Sequence, residues 1–184
     1  MEINSYEVKR MAIKMTKIFI DYEKEEKWLN EMAAKGLHLV NYSFPKYYFE
    51  KGEPGEYCYR IQLLDNLPTH QESKEYIEFM EENEVEHIAS NVRWVYFRKR
   101  AVDGPFEIFS DYKSKIKHYS NIVTFMSIFI FVNFIPAIYN MTISRINMYV
   151  SLLNWLAIIL LGFAMIIYMR RINQLKKAER LYHK

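Results

Sequence analysis

Apolar and polar residues alternate through Met11, Ile13 and Met15, and the run closes on Ile18, Phe19 and Ile20. A period of two predicts a strand. The period then lengthens: Trp28, Leu29, Met32 and Ala33 share one face of a helix. Asp21 can cap that helix, Glu23, Glu25 and Glu26 suit its first turn, and Gly36 ends it. "LHLVNYSFPKYYF" reads as a second strand, in which Pro45 implies an edge or a bulge. After the turn "EKGEPGE", the run "YCYRIQLL" is a third strand, with Tyr57, Tyr59, Ile61 and Leu63 on one side and Cys58, Arg60 and Gln62 on the other. "ESKEYIEFMEENE" is a second helix burying Tyr76, Ile77 and Met80, and "EHIASNVRWVYFRKR" is a fourth strand. The order β-α-β-β-α-β predicts an α+β, ferredoxin-like domain within residues 1–112: four antiparallel strands with both helices on one face.

The pattern changes again after Lys117. Between there and Arg170 the only charged residue is Arg145. A bilayer core of ~30 Å needs about 20 apolar helical residues, and two runs meet that length, at about 120–139 and 148–169. Residues 113–184 are therefore expected to form a transmembrane hairpin with a basic tail. Asn133 and Asn154 lie inside the spans, where they can hydrogen-bond between helices or to another protein. Lys113, Lys115 and Lys117 precede the first span, and Arg170, Arg171, Lys176, Lys177 and Arg180 follow the second. Excess Lys and Arg mark the cytoplasmic side. The expectation is a multi-pass protein of the cell membrane with both termini cytoplasmic. The first residues lack the apolar core of a signal peptide, which agrees with that orientation.

The whole chain, 184 residues with 51% hydrophobic and 26% charged, looks average only because a polar domain and an apolar hairpin are pooled. A net charge of +3 is too small to imply nucleic acid. One cysteine, Cys58, excludes an internal disulfide or a cysteine-based metal site. His38, His70, His87, His118 and His183 are scattered, with no pair at metal-ligand spacing. No phosphate-cradling loop or nucleophile motif occurs. The carboxylates of "DYEKEEKWLNE" and "MEENEVE" read as helical faces that meet water. No catalytic residue, metal or cofactor is therefore expected. One surface is singled out. A four-stranded sheet with helices on one side leaves its other face open, and Trp94 and Tyr96, with Arg60 beside them, have the make-up of a binding hot spot there.

The segments "FIDYEKEEKWLNEMAAKGLHL", "EYCYRIQLL", "NVRWVYFRKR" and "EIFSDYKSKIKHY" resemble the DUF2812 family over residues 17–119. The acidic helix start with Trp28-Leu29, Met32 and Gly36 is the most specific part. The resemblance implies a bacterial membrane protein whose function is uncharacterised, often encoded near PadR-type regulators, and it brings no catalytic residues. The reading reached from the sequence is a non-enzymatic, membrane-anchored regulatory or adaptor protein. Its partners would be the lipid bilayer and a protein partner or a second copy, not nucleic acid. The alternative is an accessory subunit of a membrane transporter.

Overall fold

The structure, a computed structural model, describes residues 12–143 and 145–182; Met11 and His183, named above, lie outside the described residues. The chain divides into two compact units between Ile108 and Phe109.

The first unit runs β1 (Ile13–Thr16), α1 (Tyr22–Ala33), β2 (Leu37–Ser43), β3 (Lys46–Lys51), β4 (Tyr57–Leu63), α2 (Gln71–Glu82), β5 (Val85–Asn91) and β6 (Trp94–Arg100). Its architecture is α+β, but the single four-stranded ferredoxin-like sheet is replaced by two antiparallel three-stranded sheets, ordered β1-β3-β2 and β4-β6-β5. The second and fourth predicted strands are each a hairpin. "LHLVNYSFPKYYF" folds back at Phe44-Pro45, so that Ser43 pairs with Lys46. "EHIASNVRWVYFRKR" folds back at Val92-Arg93, so that Asn91 pairs with Trp94. Two-residue hairpin turns favour left-handed backbone, normally supplied by Gly or Asn. Here Val92 adopts it, with φ 56°. A β-branched residue inside an apolar run gives no turn signal, and the hairpin reads as one strand.

The two halves of this unit repeat one another. Each is β-α-β-β with its last strand in the middle of its sheet. Each hairpin closes on two residues, and each carries a register irregularity at the matching place, between Leu39 and Asn41 and between His87 and Ala89. Even the residue just before the strand that follows the helix matches: Gly36 and Glu84 both have positive φ, 74° and 65°. The sheets meet along β2 and β5. On one side of the second sheet α2 covers Val95 and Phe97, with Met80, Tyr76 and Ile77 packed into that core. α1 packs against β4 and β2.

α1 ends under a tight loop. The Gly55 N–H donates to the Ala33 carbonyl at 2.8 Å, satisfying one of the helix's terminal acceptors. The Gly52 N–H donates to the Gly36 carbonyl at 2.9 Å. A Cβ on Gly36 would stand 2.6 Å from the Gly52 carbonyl oxygen.

The second unit is a helical hairpin of α3 (Tyr112–Ile143) and α4 (Arg145–Tyr182). Asp111 caps α3, its Oδ1 accepting the Ser114 N–H at 2.8 Å. Small residues let the helices approach: Ala137, Ser151 and Ala164 are buried, and the Ser151 hydroxyl donates to the Ala137 carbonyl at 2.6 Å. Ile122, Tyr119 and Tyr168 fill the other end. Asn133 does not bridge the helices, since its amide donates to Phe129 of its own helix at 2.8 Å. The Asn154 amide nitrogen is buried without a hydrogen-bond partner among the described residues. Both helices are long and apolar enough to cross a membrane, and large side chains such as Phe131 and Leu153 are about two-thirds exposed, at 66% and 67%.

Gly36→Ala combines left-handed strain with a backbone clash and should cost about 2–5 kcal/mol. Gly55→Ala, with φ 76° and nothing within 4 Å of its added Cβ, should cost about 1–2 kcal/mol. Melts of the two variants in detergent, followed by tryptophan fluorescence, check the order.

Candidate functional site

The polar residues with the most specific surroundings are on α1, and they point inward. Glu25 falls on the same helical stripe as Trp28, Leu29 and Met32, and it is buried. Its Oε1 accepts two hydroxyls, from Tyr47 of β3 and Tyr96 of β6, each at 2.7 Å. Tyr42 of β2 packs against both tyrosine rings with centroids 4.6 Å away. One carboxyl group thus joins the helix to both hairpins. Burial raises its pKa, and the two tyrosine hydrogen bonds oppose that. Burial, with the Glu25 charge next in importance, also holds the Tyr47 and Tyr96 hydroxyls well above the ordinary tyrosine range.

The neighbouring residues on the helix face β4. Asn30 spans the backbone of Tyr59, its Oδ1 accepting the N–H at 2.8 Å and its Nδ2 donating to the carbonyl at 3.1 Å. Glu26 accepts the Ile61 N–H at 2.9 Å. β4 is the outer strand of its sheet, and such a strand would otherwise leave a row of unpaired backbone groups. Burial pushes the Glu26 carboxyl up to about 7; the Ile61 N–H and the Arg60 charge pull the other way. Arg60 lies 3.6 Å from Glu26 and 2.9 Å from Glu107.

A half-buried charge on β6 links further carboxylates. Arg98 binds Glu86 Oε2 at 2.7 Å, lies 3.9 Å from Glu50 of the first half, and stacks over Tyr57 at 4.2 Å. His38 is buried, its Nε2 donating to the Glu53 carbonyl at 3.0 Å and lying 3.6 Å from Glu56.

The three sequence-predicted binding residues do not form one surface. The register pairs Tyr96 with Ile61 and Trp94 with Leu63, but Arg60 with Phe97. Arg60 therefore faces the opposite side of the sheet from the two aromatics. Tyr96 is buried under α1, and Trp94 packs on Tyr22 of α1 at 5.4 Å. The face expected to be open is an interior, because the first half of the unit lies on it. The sequence reading also placed the carboxylates of α1 in water. Their signal was legible: Glu25 is three and four positions before Trp28 and Leu29, on the apolar stripe.

Glu25 is buried, and its pKa is raised. A surface hollow of about 550 Å³ lies elsewhere, lined by Glu81, Glu84, Glu86, His87, Arg100 and Asp103 among others. Among the described residues no three His, Cys, Asp or Glu side chains converge as a metal site. The described polar groups of α1 hold structure.

A sequence model whose description reads "Protein of unknown function (DUF2812)" matches residues 21–131. No curated protein and no solved structure matches the chain. The matched region begins at the cap of α1 and takes in the whole stripe from Glu25 to Gly36.

Asn30→Leu keeps the size of the side chain and leaves the Tyr59 N–H and carbonyl without their partner. The expected loss is about 2–4 kcal/mol, read from melts in detergent. Glu26 predicts a pH effect. Its folded-state pKa of about 7 lies above the ordinary 4.5, so the unfolded chain releases this proton first. The contribution is full below about pH 4.5 and is lost as pH rises towards 7. Glu26→Gln should therefore lose less stability than the wild type between those limits, checked by paired melts across the pH range.

Proposed function

The chain belongs to the DUF2812 family, and from that premise we propose that it is a non-enzymatic, membrane-anchored regulatory or adaptor protein. The observation that carries this reading is the helical hairpin: two long apolar helices, packed on each other through small residues, with their large apolar side chains turned outward. In water that surface would be a severe liability; in lipid it is the expected exterior. Lys113, Lys115 and Lys117 stand at one end of the hairpin with Arg170, Arg171, Lys176, Lys177 and Arg180, an asymmetry that assigns this end and both termini to the cytoplasm. Tyr139 and Tyr149 are exposed at the opposite end, where aromatic side chains anchor spans at headgroup depth. The soluble unit then hangs at the inner leaflet as the partner-binding or sensing part.

Full-length protein should stay with membranes through carbonate and high-salt washes. Reporters fused after Lys184 and inserted near Ser144 should give opposite sides, with Lys184 inside. Recovery in the soluble fraction, or an external signal after Lys184, overturns the reading.

A further inference from the structure

The helices of the hairpin continue beyond their apolar runs. At about 1.5 Å per residue, Lys115 lies ~8 Å before the run that opens near Ser120, and Leu175 lies ~9 Å past Met169. Those distances match the outer part of a headgroup layer, ~5–8 Å on each side of the hydrocarbon. At this depth a groove of about 660 Å³ opens between the start of α3 and the end of α4, lined by Phe109, Tyr112, Lys113, Lys115, Leu175 and Glu179 among others.

The groove's composition is amphipathic. Phe109 and Leu175 supply apolar surface, Lys113 and Lys115 supply two ammonium groups, and Tyr112 and Ser110 supply hydroxyls. Two carboxylates also line it, Asp111 and Glu179. Asp111 is already engaged as the α3 cap, and its bond from the Ser114 N–H is the main cause holding its pKa below the usual range. Basic residues outnumber acidic ones in both flanks, eight against two from Phe109 to Lys117 and from Arg170 to Tyr182. The field there favours an anion.

We propose that this groove binds the headgroup of an anionic phospholipid, with the phosphate on the side lined by lysine and the glycerol end against Phe109 and Leu175. The assignment rests on the membrane reading above. It goes further, because a spanning hairpin by itself requires no preference among lipids.

The test uses the full chain. Flotation with phosphatidylcholine vesicles comes first. The protein is then reconstituted in phosphatidylcholine containing a minor fraction of phosphatidylglycerol, gently extracted, and its retained lipid measured by native mass spectrometry. The expected result is enrichment of phosphatidylglycerol over its share of the bilayer. Lys113→Gln with Lys115→Gln should lower the enrichment about five- to tenfold. Lys176→Gln with Lys177→Gln, which removes the same charge outside the groove, should leave most of it. Excess free glycerol phosphate should displace no lipid. Failure to float overturns the membrane reading and the site with it. Flotation without enrichment overturns the site alone. Equal losses from the two double variants mean a diffuse surface charge, and displacement by glycerol phosphate means a small-anion site; either overturns the lipid assignment.

Discussion

A sheet edge cannot be left bare inside a protein, and the first unit is organised around that constraint. β4 is an outer strand whose backbone lies against a helix, and a helix has no free backbone groups along its side to offer it. Asn30 and Glu26 supply the missing partners from their side chains. An amide side chain can both give and accept at a single residue of a strand. That bond fixes where α1 lies on the second half. Once it lies there, Glu25 is carried into the interior, and only the hydroxyls of Tyr47 and Tyr96 make that burial tolerable. The segment from Glu25 to Asn30 is thus occupied in joining two halves of one fold.

The two halves share a plan but not a chemistry. Gly36 meets the left-handed position after α1 at no steric cost, whereas Glu84 meets the same position after α2 with a side chain. Glu50 and Arg98 hold matching places in β3 and β6 and face each other across the boundary as opposite charges. α1 braces β4 with polar groups, while α2 covers its sheet with Met80, Tyr76 and Ile77. Divergence of this kind makes the repeat invisible to residue comparison and plain in the strand order.

Much of this could be read from the residues. Asp21 as cap, α1 and its end at Gly36, the alternation in β4, the buried side of α2 and the two apolar helices follow from period and capping alone. The six strands were harder, because Val92-Arg93 turns the chain without a glycine and Pro45 reads equally as an edge. Trp94 and Tyr96 alternate with Val95 and Phe97, so β6 is apolar in both parities, and the structure supplies the reason: β6 is the central strand of its sheet, with α2 on one face and Glu25 on the other. Two covered faces, not one open face, explain the pattern. Trp94, Tyr96 and Arg60 were grouped by composition, and register is what separates them.

The long reach of Glu25 also sets an order of events during synthesis. Its partner Tyr96 is 71 residues further along the chain. At about 5–20 residues per second, the carboxyl waits on the order of 4–14 s for that hydroxyl, hydrated and unburied. Until β6 is made, the first β-α-β-β half can offer Glu25 only the Tyr47 hydroxyl. The first apolar helix begins only at Tyr112, so the domain has just received its last buried partner when the membrane-length segment starts to emerge. The acid comes early in this chain, and the second hydroxyl it binds comes just ahead of the first membrane-length helix.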